Sequence, residues 1–123
     1  MKSRIPTEAQ ALRHLRKHWT LSDHRVLIQP IETSTGAGVP DLYLWIGETR
    51  RAWWCELKRG NRRLTSAQTR WMLRTQRLGH RVCVIRVWHD YRFTLHLPPS
   101  PPPDPVRVFR ANELYAVLST EEI

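Results

Sequence analysis

Apolar positions along the chain switch between helical and strand spacing. Leu12, Leu15 and Trp19 recur every three to four residues and predict an amphipathic helix. Thr7 and Gln10 form a capping box that opens it, and Glu8 lies one turn before Leu12 on the same face. The helix is expected to end near Trp19. Residues 25–31 form a short β-rich run closed by Pro30, followed by a polar loop over 33–38. Residues 41–46 and 52–58 read as two strands joined by a turn at Gly47, Glu48 and Thr49. Gly60 and Asn61 break the pattern. A second capping box, Thr65 to Gln68, opens a helix through Leu78 that stops at Gly79. Residues 81–88 are dense in Val and Ile and predict a buried strand. After a turn at His89 and Asp90, residues 91–97 alternate apolar and polar and predict a half-exposed edge strand.

The order helix, strand, strand, strand, helix, strand, strand predicts an α/β domain: one mixed central sheet flanked by helices. Its core is expected over residues 1–97. Residues 98–105 are mostly proline, which lacks an N–H donor, and read as a spacer. Residues 106–123 form a C-terminal extension, with a strand expected over 106–109 and Asn112 capping a short helix through Leu118. Two roles are open to it: a dimer arm, or packing on its own core.

Composition adds a partner. The chain has 123 residues, 41% hydrophobic and 25% charged, which is globular composition. Its net charge is +9, and residues 50–81 hold ten basic residues against the single acid Glu56, so this segment carries the whole excess. Arginine, 17 residues against three lysines, suits bidentate phosphate contacts. A nucleic-acid partner is expected. Arg59, Arg62 and Arg63 follow one predicted strand, and Arg70, Arg74 and Arg77 form a stripe on the next helix. These six are the candidate phosphate contacts. Such contacts position a duplex without reading its sequence. The chain has no apolar run long enough to span a membrane and no signal-peptide pattern, so a cytoplasmic location is expected.

The chemistry is carried by charges inside apolar strands. Asp41 precedes Leu42-Tyr43-Leu44-Trp45-Ile46, and Glu56 and Lys58 interrupt Trp53-Trp54-Cys55-Leu57. Side chains two apart on a strand share a face, so Glu56 and Lys58 project together. Asp41 can join them if the two strands pair. Such charges are costly unless paired or metal-bound. A hard cation such as Mg²⁺ suits them. The alternative is a salt bridge, Asp41–Lys58 or Glu56–Lys58, without catalysis.

Gly38-Val39-Pro40-Asp41 followed by Glu56-Leu57-Lys58-Arg59-Gly60 resembles the PD-(D/E)xK nuclease signature. With Leu64 to Gln68, Trp71 and the strand after Gly79, it resembles the VRR-NUC branch, in its stand-alone, phage-type form. The resemblance implies a restriction-endonuclease-like fold and a metal-dependent endodeoxyribonuclease. It makes Asp41, Glu56 and the Leu57 carbonyl the metal ligands, with Mg²⁺ as cofactor and Mn²⁺ as substitute. It gives Lys58 the task of positioning the attacking water. It makes Gln68 and Glu8 further catalytic residues. It also implies a homodimer acting on branched DNA such as Holliday junctions. Gln68 has a second explanation in its capping box, and Glu8 in the favourable field of a helix N-terminus. The rival functions are a non-catalytic nucleic-acid-binding module and a nuclease acting on linear DNA or RNA.

Three further features stand out. His14 and His18 share a helix face and could bind a transition metal or be solvated. Cys55 and Cys83 read as small core residues. Trp45, Trp53, Trp54, Trp71 and Trp88 read as mostly core, with a subset available to a second subunit.

Overall fold

The computed structural model describes residues 4–31, 38–97 and 107–120. Most of the expected 33–38 loop and the whole proline spacer lie outside them. The elements are α1 (Glu8–Leu21), β1 (Val26–Pro30), β2 (Leu42–Ile46), β3 (Arg51–Arg59), α2 (Ser66–Arg77), β4 (Arg81–Val87), β5 (Phe93–His96) and α3 (Ala111–Thr120). The strands form one sheet in the order β1-β2-β3-β4-β5. Only β3 and β4 are parallel, joined by the α2 crossover; the other neighbours are antiparallel. This is the mixed sheet the patterning predicts.

Both capping boxes form, with Gln10 closing the first and Gln68 the second. Each satisfies donors that the first helical turn leaves open. α1 runs to Leu21, two residues past the expected end.

The two faces of the sheet differ. Under α1 and α3 lies the main core, including Leu15, Trp19, Leu44, Ile46, Trp53, Ile85, Phe93, Leu114 and Leu118. Cys55 and Cys83 belong to it as free thiols. They face each other in register across β3 and β4 with Sγ atoms 3.2 Å apart. Under α2 lies a smaller cluster of Met72, Val82 and Val84, with Trp54, Leu64 and Trp71 packed around it.

The C-terminal extension takes the packing role in its described part. Leu114 and Leu118 are buried, and two tryptophans of the core donate to α3 carbonyls: Trp19 Nε1 to Ala111 at 2.8 Å and Trp53 Nε1 to Leu118 at 2.9 Å. The expected strand before it reduces, in its described part, to a single bridge between Phe109 and Phe93. Asn112 does not cap this helix. It lies inside the first turn and donates to Ser22 Oγ, while Glu113 accepts from the Arg110 amide.

Two further expectations need correction. β5 is an edge strand but not half-exposed, because Thr94 and His96 on its polar side are buried beside Trp88 and Arg86. Tyr91 is not in that strand; it closes a short turn over His89–Tyr91 in which Asp90 is left-handed. Of the five tryptophans expected to be mostly core, only Trp53 is fully buried. Trp54, Trp71 and Trp88 are half-buried and Trp45 is 39% exposed. Trp54 and Trp45 stand on the α2 side of the sheet, which one helix does not cover.

Candidate active site

Pairing of β2 with β3 decides where the charges meet. Leu42 stands opposite Cys55, so Asp41 falls beside Glu56 at the end of the ladder. Asp41 Oδ1 accepts the Leu57 amide at 3.1 Å, and the Asp41 amide donates to Glu56 Oε2 at 3.2 Å. Each carboxylate is thus held by a backbone N–H from the opposite strand. The alternation of β3 places Trp54, Glu56 and Lys58 on the α2 face. Glu56 is 5% exposed and Lys58 9%.

Gln68 joins the helix cap to the carboxylate pair. Its Oε1 accepts from the Thr65 amide at 2.9 Å, closing the capping box. Its Nε2 donates to Glu56 Oε1 at 2.6 Å. One amide group therefore starts α2 and fixes the glutamate. Gly38 makes this approach possible. It has φ +86°, and a Cβ there would run into the Ala67 carbonyl at the head of α2. Only glycine lets the segment leading to Asp41 lie against that helix end.

Burial sets the electrostatics. Desolvation, only partly offset by hydrogen bonds and Lys58, pushes the Asp41 carboxyl up to about 6. Glu56 is pushed up to about 8, by desolvation first and then by the Asp41 charge. The pair retains a proton at neutral pH when no cation is bound. Among the described residues, no ion pair within 4 Å joins Lys58 to either acid; the pairs present are Arg62–Glu8 and Arg110–Asp90. A simple salt bridge therefore does not account for the cluster.

Glu8 is not brought to the pair. It sits 3.5 Å from Arg62 at the start of α1, and no group of three potential His, Cys, Asp or Glu ligands exists among the described residues. A helix-start acid finds a nearby surface arginine instead. His14 and His18 likewise lack a third ligand.

The candidate phosphate contacts divide in two. Arg70, Arg74 and Arg77 are exposed and, with Leu73 and Leu78, line an open cleft of about 450 Å³. Arg59 ends β3 and Arg62 and Arg63 lie on the loop after it, all three exposed. Of these, Arg59 donates through Nε to the Ile5 carbonyl at 2.9 Å. The sequence reading missed what holds this loop. Arg86, 2% exposed and in register with Lys58, donates through Nη1 to the carbonyls of Gly60 and Arg62. Its signal was visible: an arginine within the apolar run of β4.

The sequence matches the family profile of the VRR-NUC domain over residues 3–89. The chain belongs to the VRR-NUC family. No curated protein matches it. Among solved structures, the Holliday junction resolvase Hjc of Archaeoglobus fulgidus is similar, with a TM-score of 0.58 and 11% identity, over 89% of this chain and 98% of the Hjc chain. At that identity the likeness is one of fold, and the five-stranded VRR-NUC sheet described above shares it. No helix among the described residues of this VRR-NUC domain is long and apolar enough to cross a membrane.

Proposed function

We propose that this VRR-NUC domain is a divalent-metal-dependent DNA endonuclease that hydrolyses phosphodiester bonds, with branched DNA as its preferred substrate. The observation that carries the reading is the joint anchoring of Asp41, Glu56 and Gln68, with Lys58 on the same strand face. A buried and a half-buried carboxylate that cannot both ionise comfortably, with no cationic side chain within ion-pair distance among the described residues, are chemically suited to a hard cation. Asp41, Glu56 and the Leu57 carbonyl would hold Mg²⁺, with Mn²⁺ substituting; a site with so few protein ligands fits an ion that keeps several waters. The cation supplies Lewis-acid polarisation of the phosphate and makes water a stronger nucleophile at neutral pH.

The protein's own groups do the rest. The Leu57 amide and Gln68 hold the two carboxylates in place before substrate arrives. Lys58 orients the attacking water and offsets charge developing on the phosphate. The arginines of α2 and of the loop after β3 grip the DNA backbone without selecting sequence. Branched DNA is supported by the fold shared with a protein described as a Holliday junction resolvase. A homodimer, with two sites to cut two strands, fits the exposed apolar pair Leu27 (54%) and Trp45 (39%). They are cross-strand neighbours on the edge of the sheet.

The test compares cleavage of a four-way junction with that of a linear duplex of the same sequence, in Mg²⁺, in EDTA, and with a folded Lys58→Ala variant. Junction-selective cleavage that requires both Mg²⁺ and Lys58 is expected. Binding without cleavage under any divalent cation would instead make the domain a binding module. Equal cutting of both substrates would remove the branched preference.

A further inference from the structure

The sequence places its charge excess between residues 50 and 81, yet a second basic feature stands outside that segment. α1 turns Gln10, Arg13 and Lys17 to solvent, with His14 half-buried beside them. These four and Tyr91 line an open cleft of about 400 Å³, none of them acidic.

The cleft is a built surface. The His14 ring stacks on Tyr91 with centroids 4.1 Å apart and 4° between the planes, and His18 packs on His14 at 4.1 Å. Tyr91 reaches this position through two successive left-handed residues, Asp90 with φ 60° and Tyr91 with φ 50°. Non-glycine residues hold that conformation at a cost, and only where neighbours enforce it. Arg110 enforces it here, donating to the Asp90 carbonyl at 2.7 Å and to its carboxylate at 3.2 Å. The same contact engages the acid of that turn. The local field is positive. His14 lies below the usual histidine range, through burial first and then through the charges of His18, Lys17 and Arg110.

Position ties the cleft to the arginines at the end of β3. The start of α1 abuts the end of β3 and the loop after it, through Arg62–Glu8 at 3.5 Å and Arg59 on the Ile5 carbonyl at 2.9 Å. At 1.5 Å per helical residue, Lys17 lies ~14 Å further along α1 than Glu8. A basic track therefore runs from the arginines at the end of β3 along α1, while the α2 stripe lies on the opposite face of the sheet.

We propose that the α1–Tyr91 cleft is a second phosphate-backbone site, which holds a DNA arm diverging from the one gripped by α2. The proposal rests on the nucleic-acid reading above and gives it a physical origin for branch preference. A straight duplex can follow one track only, whereas a branched substrate fills both. Arg13 offers a planar fork and Lys17 a mobile point charge, the two usual ways of holding phosphodiesters.

The test is a titration of the full chain in EDTA, with a fluorescently labelled four-way junction and a linear duplex of equal length. Arg13→Gln combined with Lys17→Gln is expected to weaken junction binding roughly tenfold. It should also flatten the slope of log affinity against log salt by ~1.8, the loss of two phosphate contacts. Duplex binding should change less than twofold. Arg13→Glu with Lys17→Glu should deepen the junction loss, and both variants should keep the wild-type melting temperature because both side chains are exposed. No loss on either DNA, or equal loss on both, overturns the proposal. Linear-duplex cleavage in Mg²⁺ should survive in the variants. If the wild type cleaves nothing, the nuclease reading fails, while the EDTA titration still decides the cleft.

Discussion

On the α1–α3 face of the sheet, Leu44, Ile46, Trp53, Ile85 and Phe93 are all buried among other apolar side chains. On the α2 face, the same strands carry Glu56, Lys58, Arg86, Thr94 and His96, also buried, around a much smaller apolar cluster. The first face supplies stability through area removed from water. The second face works against it, since buried charges are tolerated only when paired, hydrogen-bonded or bound to an ion. That a strand such as β3 serves both at once, alternating residue by residue, shows how the stable face carries the cost of the reactive one.

The comparison breaks most visibly at the carboxylates. Asp41→Asn and Glu56→Gln should each lower cleavage by roughly a thousandfold, ~4 kcal/mol of transition-state stabilisation. The same changes remove a buried charge, so the metal-free variants should melt at higher temperature than the wild type at pH 8. Cleavage rates and melts on the same preparations check this; a destabilised Glu56→Gln variant would show that the glutamate is structurally favourable.

The opposite signature is expected across the sheet. Leu118→Ala, on α3, should cost ~3–5 kcal/mol in urea unfolding, as for other fully buried leucines. The fraction that remains folded should keep its affinity for divalent cations. A change below ~1 kcal/mol would mean that α3 is not part of the core.

Gln68→Ala lies between these extremes because the residue serves both purposes. It should reduce cleavage roughly 10–100-fold, the usual effect of losing a group that orients a metal ligand. It should also cost ~1 kcal/mol through the lost cap. Gln10→Ala, at the equivalent position of α1, should show the stability loss without the effect on cleavage.

The last expected effect is a pH dependence of the metal-free protein. The folded-state values of Asp41 and Glu56 are raised to about 6 and about 8 from ordinary values of 3.8 and 4.5. The folded chain therefore binds more protons than the unfolded chain between these limits. The stability they contribute is fully present below pH 4 and is lost as pH rises through 6 and 8. The melting temperature should fall between pH 5 and pH 8.5. Mg²⁺ should reverse the fall, and Glu56→Gln should flatten it.

Much of this organisation was legible because periodicity and capping are local. Thr7, Gln10, Thr65 and Gln68 announce their helices within four residues, and Asp41, Glu56 and Lys58 stand out against apolar neighbours. The contact of Gln68 with Glu56 was not readable, since it depends on where the crossover sets α2 down. Nor was the burial of Thr94 and His96. Their alternation matches an exposed edge, and only Trp88 and Arg86, brought alongside by the turn, cover them. The contact of Glu8 with Arg62 was not readable either, since it joins residues 54 positions apart. Tryptophan counts misled for a related reason: hydrophobicity does not say whether one helix is wide enough to cover a five-stranded sheet.

The shared amide of Gln68 couples the site to local unfolding. Fraying of the first turn of α2 must break the Gln68–Thr65 contacts, and with them the restraint on Glu56. Anything that immobilises Glu56 must therefore slow that fraying. Amide hydrogen exchange at the head of α2 thus becomes a timer for assembly of the site, running in the same protein that does the chemistry and needing no substrate to be read.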